Sequence, residues 1–417
     1  MSSNTADIQT AIARGDKGLP VATSQASNAS LPDDELSLPA MVLREKALAH
    51  NIRWMQRFVD ERGLALAPHG KTTMTPAIFR RQIEAGAWGI TLATAAQCRA
   101  AYREAGVRHL LMANQLVGAG NMAIVSALIA DPEVTYYCTV DSVDNVRALS
   151  HFFAARNQTV QVLIELGVPG GRCGCRSQEE ALALAELIDT CPGIQVAGVE
   201  GYEGIIHGDD LPDRIRAYAD ELIATTAALV ERGLTAVKRP VITASGSAWY
   251  DVIAAAFTES GARDRFLPLL RPGCYVAHDH GLYRRAHADI LARLHSDPGD
   301  GLMPALEVWA HIHSIPEPGL VVAGIGKRDI AYDADLPIPL RRCRAGGDDS
   351  ALSVNGWTVT GIMDQHAFIA VPADEDVRVG DIVAFGSSHP CLTFDKWRFI
   401  ALADENFRVK DYLTTRF

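Results

Sequence analysis

The feature that most constrains the fold of this chain is a regular alternation of short apolar runs with helical segments between about residues 47 and 280. Eight runs rich in β-branched and apolar residues occur there, at 64–67, 88–93, 107–113, 134–140, 160–166, 194–201, 240–244 and 269–276. The segments between them place apolar residues three and four positions apart, as in EEALALAELI at 179–188, which is the spacing of an amphipathic helix. Eight βα units predict a (β/α)8 barrel.

A doubly wound parallel sheet is the alternative architecture. Such a sheet usually has fewer strands and a glycine-rich turn after its first strand. Here the first strand runs into APHGKTT, which is neither a GxGxxG fingerprint nor a P-loop. The barrel is therefore the preferred prediction.

The pattern changes after about residue 300. Strand-like runs at 305–311, 319–325, 357–363, 368–371 and 381–385 are separated by turn residues, which predicts an all-β domain. We expect four parts along the chain. They are a flexible N-terminal arm at 1–34, a strand at 35–46 that joins the β domain, the barrel at 47–295 and the β domain at 296–417.

Charge and apolar patterning exclude several classes of partner. The chain has 39 basic and 50 acidic residues and a formal net charge of −11, which argues against nucleic acid or an anionic membrane surface as a partner. No apolar run reaches the ~18 residues of a membrane span. The N-terminus lacks the basic and apolar regions of a signal peptide. We therefore expect a cytoplasmic protein whose eight cysteines are reduced.

Each predicted barrel strand is followed by polar or glycine residues. In such barrels the active site lies at the carboxyl ends of the strands, so these exits mark the expected site. In strand order, the exits are His69–Thr72, Thr94, Asn114–Gln115, Asp141, Arg172, Tyr202–Glu203, Ser245–Ser247 and Gly273–Tyr275.

Lys71 is the most informative of the exit residues. The chain has only seven lysines, and one of them follows the first strand in an apolar segment. There we expect a desolvated amine with a lowered pKa, suited to forming a Schiff base. The alternative is an ordinary surface lysine at a strand end.

Two glycine-containing turns are candidates for binding phosphate. Ser245-Gly246-Ser247 and Arg271-Pro272-Gly273-Cys274 follow the last two strands, where phosphate sites recur in barrels. Backbone N–H groups and the N-terminus of a helix starting near Ser247 would supply partial positive charge to bind the phosphate. The alternative is that both are ordinary turns.

His389-Pro390-Cys391, in the predicted β domain, is a candidate metal site. Ligands two apart on an extended backbone point to the same side, and imidazole plus thiolate suits Zn²⁺. Two protein ligands leave positions for water or substrate, as in a catalytic site. His278 and His280 form a second candidate pair. We interpret His311/His313 and Cys173/Cys175 as structural.

These motifs together resemble a known family. Pro68-His69-Gly70-Lys71-Thr72, Arg172-Cys173-Gly174, Gly201-Tyr202-Glu203-Gly204 and the Ser-Gly-Ser turn resemble the alanine-racemase-like fold of pyridoxal-phosphate (PLP) enzymes. The segment SHPCLTFDKW at 388–397 looks more specifically like the D-serine dehydratase and D-threonine aldolase group. The resemblance covers about residues 40–410.

The resemblance implies roles for individual residues. Lys71 would carry PLP as an aldimine and remove the α-proton of the substrate, while Arg172 would contact the 3′-oxygen and Tyr202 the ring nitrogen. The phosphate would be held by Ser245, Gly246, Ser247, Gly273 and Cys274. His389 and Cys391 would hold a divalent metal, expected to be Zn²⁺. A homodimer is also implied, with the β domain closing the active site.

The expected activity is dehydration of a β-hydroxy-D-amino acid such as D-serine or D-threonine to a 2-oxo acid and ammonia. The metal would help the hydroxide to leave. The first alternative is retro-aldol cleavage to glycine and an aldehyde. A racemase would need a second base and leave the metal pair unexplained. A non-catalytic PLP carrier would be a lone barrel.

Overall fold

The structure is a computed structural model that describes residues 3–20, 28–345 and 352–417. The chain forms two compact units. The first unit comprises the chain up to Arg53, Thr72–Ala77 and Cys274–Phe417; the second comprises Trp54–Lys71 and Ile78–Gly273. One large sheet lies in each unit. The predicted boundary at residue 296 differs from the structure, in which the first unit resumes at Cys274.

The sheet of the first unit is mixed. Its strands, numbered in chain order over the whole protein, are β1 (Ala40–Arg44), β10 (Leu306–Glu317), β11 (Leu320–Ala323), β12 (Ile338–Cys343), β13 (Thr358–Ile362), β14 (Ala367–Ala370), β15 (Ile382–Gly386), β16 (Phe399–Ala403) and β17 (Val409–Thr414). Strand β1 lies between β10, to which it is antiparallel, and β16, to which it is parallel. The N-terminal part of the chain therefore contributes a strand to the centre of this sheet.

The sheet of the second unit is entirely parallel. Its strands are β2 (Ala65–Leu66), β3 (Ile90–Leu92), β4 (His109–Gln115), β5 (Thr135–Val140), β6 (Val160–Leu166), β7 (Ile194–Gly201), β8 (Val241–Ala244) and β9 (Leu267–Leu270). Their order is β2-β9-β8-β7-β6-β5-β4-β3. The N–H groups of Trp88 and Thr91 donate to the carbonyls of Leu66 and Pro68 at 2.8 and 2.9 Å, which joins β2 to β3. The ring of eight strands is thus closed, and the predicted (β/α)8 class is confirmed.

The helices between β2 and β9 alternate with the barrel strands as the spacing predicts. The α-helices of the described residues, in chain order, are α1 (Ser3–Arg14), α2 (Glu45–Asp60), α3 (Pro76–Glu84), α4 (Ala95–Ala105), α5 (Ala119–Leu128), α6 (Val143–Ala154), α7 (Gln178–Asp189), α8 (Leu211–Glu231), α9 (Tyr250–Glu259), α10 (Ala262–Arg265), α11 (Leu282–Arg293) and α12 (Cys391–Phe394). Thr94, Ser142 and Ser177 cap α4, α6 and α7 by accepting a hydrogen bond from the backbone N–H three residues on. Inside the barrel, inward-facing side chains such as Leu111, Leu163 and Val241 form a packed core.

The eighth predicted strand is shifted in the structure. It was expected at 269–276, but β9 ends at Leu270 and residues Cys274–Val276 form a 3-10 turn. Pro272 and Gly273 interrupt the run, and proline cannot donate to a strand ladder. Gly273 and Cys274 still follow the strand, as the site prediction requires.

The expectation of a flexible arm at 1–34 is wrong for its described part. Residues Ser3–Arg14 form helix α1, in which Ile8, Ala11 and Ile12 are buried in the core of the first unit. These three residues have the i, i+3, i+4 spacing of an apolar helix face. They pack in one cluster with side chains of the sheet such as Trp309. Residues 1–2 and 21–27 of the predicted arm lie outside the described part.

None of the helices in residues 3–20, 28–345 and 352–417 combines the length and apolar character needed to cross a membrane.

The burial of α1 predicts that shortening its apolar face destabilises the first unit. Ile12→Ala should lower the free energy of unfolding by about 2–4 kcal/mol, the usual cost of removing a buried isoleucine side chain. Urea unfolding followed by tryptophan fluorescence measures this. Gln9→Ala, at an exposed position of the same helix, is the control. Equal unfolding midpoints for the two variants would show that α1 is not packed in the core.

Candidate functional site

Lys71 lies where the sequence predicted, directly after the first barrel strand. It is in the 3-10 turn Gly70–Thr72 that follows β2. A Cβ on Gly70 would lie 2.8 Å from the side chains of Phe79 and Ile90, so this turn needs glycine to lie against them. The side chain of Lys71 is exposed. The expected desolvated setting is therefore not found, because a strand of only two residues leaves Lys71 at the rim of the barrel.

His69 lies among positive charges. Burial lowers its pKa well below 6.5, and the charges of Lys71, Arg271 and Arg172 lower it further. The imidazole is therefore neutral near pH 7. Its Nδ1 atom is buried and has no hydrogen-bond partner in the described structure. A neutral ring with an unpaired nitrogen is suited to contact a ligand.

A buried polar network lies at the ends of β4, β6 and β7. Arg271 forms an ion pair with Glu200 and donates to the carbonyl of Gly201 at 2.6 Å. Glu165 Oε2 accepts a hydrogen bond from Gln115 Nε2 at 2.7 Å. Burial, together with the charge of Glu200, raises the pKa of Glu165 to about 7. Perturbed carboxyl groups of this kind cluster at functional sites.

Sequence reasoning missed Glu165 and Glu200. Each is an acidic residue near the carboxyl end of an otherwise apolar predicted strand, at 160–166 and 194–201. A charged side chain in a fully buried strand needs a partner. An acidic residue inside an apolar strand therefore indicates a buried ion pair or hydrogen bond, which could have identified both residues.

Arg172 and Tyr202, predicted from separate strand exits, lie together in the structure. The guanidinium carbon of Arg172 is 5.0 Å from the centroid of the Tyr202 ring. The backbone N–H of Tyr202 donates to the hydroxyl of Tyr218 at 3.1 Å, and that hydroxyl donates to the carbonyl of Leu166 at 2.6 Å. Tyr218, on α8, thereby fixes the exits of β6 and β7 relative to each other.

The Ser245-Gly246-Ser247 turn follows β8, but two of its amides are already bonded. The backbone N–H groups of Ser245 and Gly246 donate to the Glu203 carboxylate at 3.0 and 2.6 Å. The expectation that these two amides are free to bind phosphate is therefore wrong. Helix α9 begins at Tyr250, three residues beyond the predicted start near Ser247.

Ser247 and Gly273 connect the last two strand exits. The N–H of Gly273 donates to Ser247 Oγ at 3.1 Å. The two predicted phosphate turns are thus adjacent. Their joint role in binding phosphate stays a prediction.

In the first unit, His389 and Cys391 form a hydrogen-bonded pair. This bond raises the pKa of His389 to about 9, and the carboxylate of Asp333, 2.7 Å from Nδ1, adds to the effect. Hydrogen bonds from Cys274 and His389 lower the pKa of Cys391 well below 9. Both shifts favour transfer of the thiol proton of Cys391 to the imidazole of His389.

The backbone of this pair differs from the prediction. Pro390 is helical, with φ −59° and ψ −44°, and it begins the short helix α12. The extended geometry that was expected to align the two side chains is therefore absent. The side chains of His389 and Cys391 lie close together because Cys391 is the first residue of helix α12 and follows the helical Pro390.

Cys274 belongs to this cluster through its thiol. Its Sγ atom is 3.5 Å from Cys391 Sγ, and Cys391 Sγ is 3.4 Å from the hydroxyl of Thr72. Over residues 3–20, 28–345 and 352–417, no three or more His, Cys, Asp and Glu side chains form a group that could hold a metal ion.

His278 and His280, the second candidate metal pair, are enclosed by protein. Burial lowers the pKa of His278 to about 3 and that of His280 to about 4. His278 packs edge-on against His287, with ring centroids 5.4 Å apart. His280 packs against the backbone of Gly386.

Comparison with known proteins identifies two matching family models. Residues 43–275 match the model described as alanine racemase, N-terminal domain. Residues 305–403, which contain His389 and Cys391, match a putative serine dehydratase domain.

Among curated proteins, the chain is similar to a D-threonine aldolase of Arthrobacter sp. The two are 26% identical over 371 residues, covering 87% of this chain and 89% of that enzyme.

Two solved structures are similar in fold. D-threonine aldolase from Filomicrobium marinum has a TM-score of 0.75 at 23% identity, covering 93% of this chain and 97% of that chain. D-threo-3-hydroxyaspartate dehydratase from Delftia sp. HT23 has a TM-score of 0.71 at 21% identity, covering 93% and 99%.

The alanine racemase model spans more than half of the 417 residues. The chain therefore belongs to the alanine racemase-fold family, and the resemblance seen in its motifs is confirmed.

Proposed function

We propose that this protein is a PLP- and metal-dependent dehydratase of a β-hydroxy-D-amino acid, releasing a 2-oxo acid and ammonia. The observation that carries the proposal is the hydrogen-bonded His389–Cys391 pair with Asp333 at His389 Nδ1, all inside the match to the putative serine dehydratase domain. The names of the similar proteins support the substrate class, because threonine and 3-hydroxyaspartate both carry a β-hydroxyl.

The residues at the strand ends fit a phosphorylated aromatic cofactor. His69 Nδ1 and Arg271 Nε are buried and have no partner in the described structure, so they are available to a bound group. Tyr202 and Arg172 present a ring and a guanidinium beside them. When bound, PLP supplies an electron sink for the α-carbon. Lys71 would hold it, with Arg172 at its 3′-oxygen and Tyr202 at its ring nitrogen.

Lys71 is the proposed base for the α-proton. Its amine is at the strand exit and exposed, so a substrate can reach it. Lys71 Nζ would accept the α-proton.

The metal-ligand residues fit a divalent ion of borderline softness. A metal would replace the proton shared by His389 and Cys391, leaving a neutral imidazole and a thiolate as its ligands, while Asp333 keeps its hydrogen bond to His389 Nδ1. Thiolate plus imidazole favours Zn²⁺ over Mg²⁺ or Ca²⁺. Such an ion would supply Lewis-acid assistance to the departure of the β-hydroxyl. A cysteine-to-alanine mutant of a D-threo-3-hydroxyaspartate dehydratase of the same fold is known in a metal-free form.

Retro-aldol cleavage is the second candidate function. The curated relative that matches 87% of this chain is an aldolase, and both reactions use a β-hydroxy-D-amino acid. A homodimer, which the resemblance implies, stays a prediction.

Product analysis with D-threonine separates the two lyases. The proposal predicts 2-oxobutanoate and ammonia, detected by keto-acid derivatisation and an ammonia assay. Glycine and acetaldehyde would instead establish cleavage of the Cα–Cβ bond. L-allo-threonine as the product, from inversion at the α-carbon alone, would indicate a racemase. Absence of turnover on D-serine, D-threonine and D-3-hydroxyaspartate, with PLP bound, would indicate a carrier.

Lys71→Ala should abolish turnover, because the proposed cofactor-holding amine and base is lost. Borohydride reduction followed by peptide mass spectrometry should find PLP on Lys71 in the wild type and on no lysine in the variant. Lys238→Ala, an exposed lysine of the same unit, is the control and should behave as wild type. A PLP adduct on another lysine in Lys71→Ala would contradict the assignment.

His389→Ala and Cys391→Ala should each lose bound metal and stop elimination, as EDTA should in the wild type, with Zn²⁺ restoring the EDTA-treated protein. Exchange of the substrate α-proton with solvent should survive, because Lys71 is unchanged. Metal content and deuterium incorporation measure the two effects, and His366→Ala, an exposed histidine of the first unit, is the control. Joint loss of exchange and elimination, with PLP bound, would show that the metal orients the substrate instead of aiding hydroxide departure.

A further inference from the structure

Glu203 is a fully buried carboxylate at the end of β7. It begins the 3-10 turn Glu203–Ile205 and has no exposed surface. Both of its oxygens accept backbone hydrogen bonds, Oε2 from Ser245 at 3.0 Å and Oε1 from Gly246 at 2.6 Å. Burial of a charged carboxylate is unfavourable unless its oxygens are hydrogen-bonded. The two backbone hydrogen bonds to Glu203 offset that cost.

The two bonds hold Ser245 in a backbone conformation that serine rarely adopts. Its φ is 93°, in the region that favours glycine. Hydrogen bonds to a charged acceptor are among the stronger ones in proteins and can offset such strain. A Cβ at Gly246 would lie 3.0 Å from the Tyr202 ring, so the turn also lies tightly against the residue before Glu203.

The fixed turn orients the groups that follow it. Ser247 comes next and is joined through its Oγ to the N–H of Gly273. Helix α9, of ten residues, begins at Tyr250, so its positive N-terminus comes three residues after Ser247 in the chain. The amides of Ser245 and Gly246 donate to Glu203, so they are not the groups that would bind an anion here. Ser247, Gly273 and the N-terminus of α9 would bind it instead.

We infer that Glu203 is the positioning residue for the phosphate end of the cofactor site. It acts through the Ser245–Gly246 turn, setting the position of Ser247, Gly273 and the start of α9, while its own charge takes up the two turn amides. The inference rests on the proposed function, since the phosphate is that of PLP.

The test compares binding of PLP and pyridoxal, which differ only in the phosphate. Glu203→Gln keeps the shape of the side chain but presents an NH2 group to one turn amide, so one hydrogen bond is lost and two donors face each other. The preference for PLP over pyridoxal, measured by spectroscopic titration of the cofactor-free protein, should fall by about tenfold or more. The affinity for pyridoxal should change little.

A rescue variant separates positioning from general damage. In the Glu203→Gln protein, Ser245→Gly removes the strain at φ 93° and should restore part of the preference for PLP. Glu307→Gln is the matched control, because Glu307 is also buried but accepts from the side chains of Trp309 and Arg341 and touches no turn amide. Its ratio of affinities should equal that of the wild type.

The outcomes are distinguishable from failure of the proposed function. Wild-type protein that binds neither PLP nor pyridoxal would overturn the proposed function itself. Wild type that binds both, with Glu203→Gln weakening both equally, would overturn only the positioning role. If Glu203→Gln does not fold, Glu203→Asp keeps both acceptor oxygens but withdraws them, and an unchanged ratio in that variant would overturn the inference.

Discussion

Closure of the barrel through its shortest strand is the constraint on which the rest of the second unit depends. Strand β2 has two residues, yet it is bonded on both sides. Ala67 N–H donates to Leu270 on one side, and Leu66 and Pro68 accept from Trp88 and Thr91 on the other. Because the ring is closed and parallel, the carboxyl ends of all eight strands face the same way. The turn carrying His69 and Lys71 is thereby brought to the exits of the other strands.

The strand ends are where this protein departs from the rule that barrel interiors are apolar. Glu165, Glu200 and Arg271 are all buried there, and Arg271 and Glu200 each retain one polar atom without a partner in the described structure. An unpaired buried polar atom lowers stability, so its retention at the same end as Lys71 indicates function. Burial at this end, together with the positive charges of Lys71, Arg271 and Arg172, also lowers the pKa of His69 and keeps it neutral.

The sequence was sufficient to predict the barrel and the strand exits, because both depend on periodicity, which is local. Arg172 and Tyr202 were predicted only as separate exits; their contact arises because the ends of parallel strands converge. The burial of individual side chains was less predictable from the sequence. Lys71 is exposed because its strand has only two residues. The apolar face of α1 is buried because it packs against the sheet of the first unit. Neither condition can be recognised from the residues alone.

The same limit applies to hydrogen-bond partners that are distant in sequence. Glu203 accepts from residues 42 and 43 positions away, and Cys274 and Cys391 are 117 positions apart. The sequence identified the Ser-Gly-Ser turn but not that its amides were already bonded. Likewise, His389 and Cys391 were predicted as a pair, while the helical backbone that brings them together and the carboxylate of Asp333 were not.

The absorbance spectrum of the purified protein, recorded with and without D-threonine, tests whether the protein carries lysine-bound PLP and acts on a D-amino acid. We expect a band at about 410–430 nm, typical of lysine-bound PLP. We also expect that D-threonine changes this band and L-threonine does not. Absence of the band after incubation with PLP, or a band that responds equally to both enantiomers, would contradict this expectation.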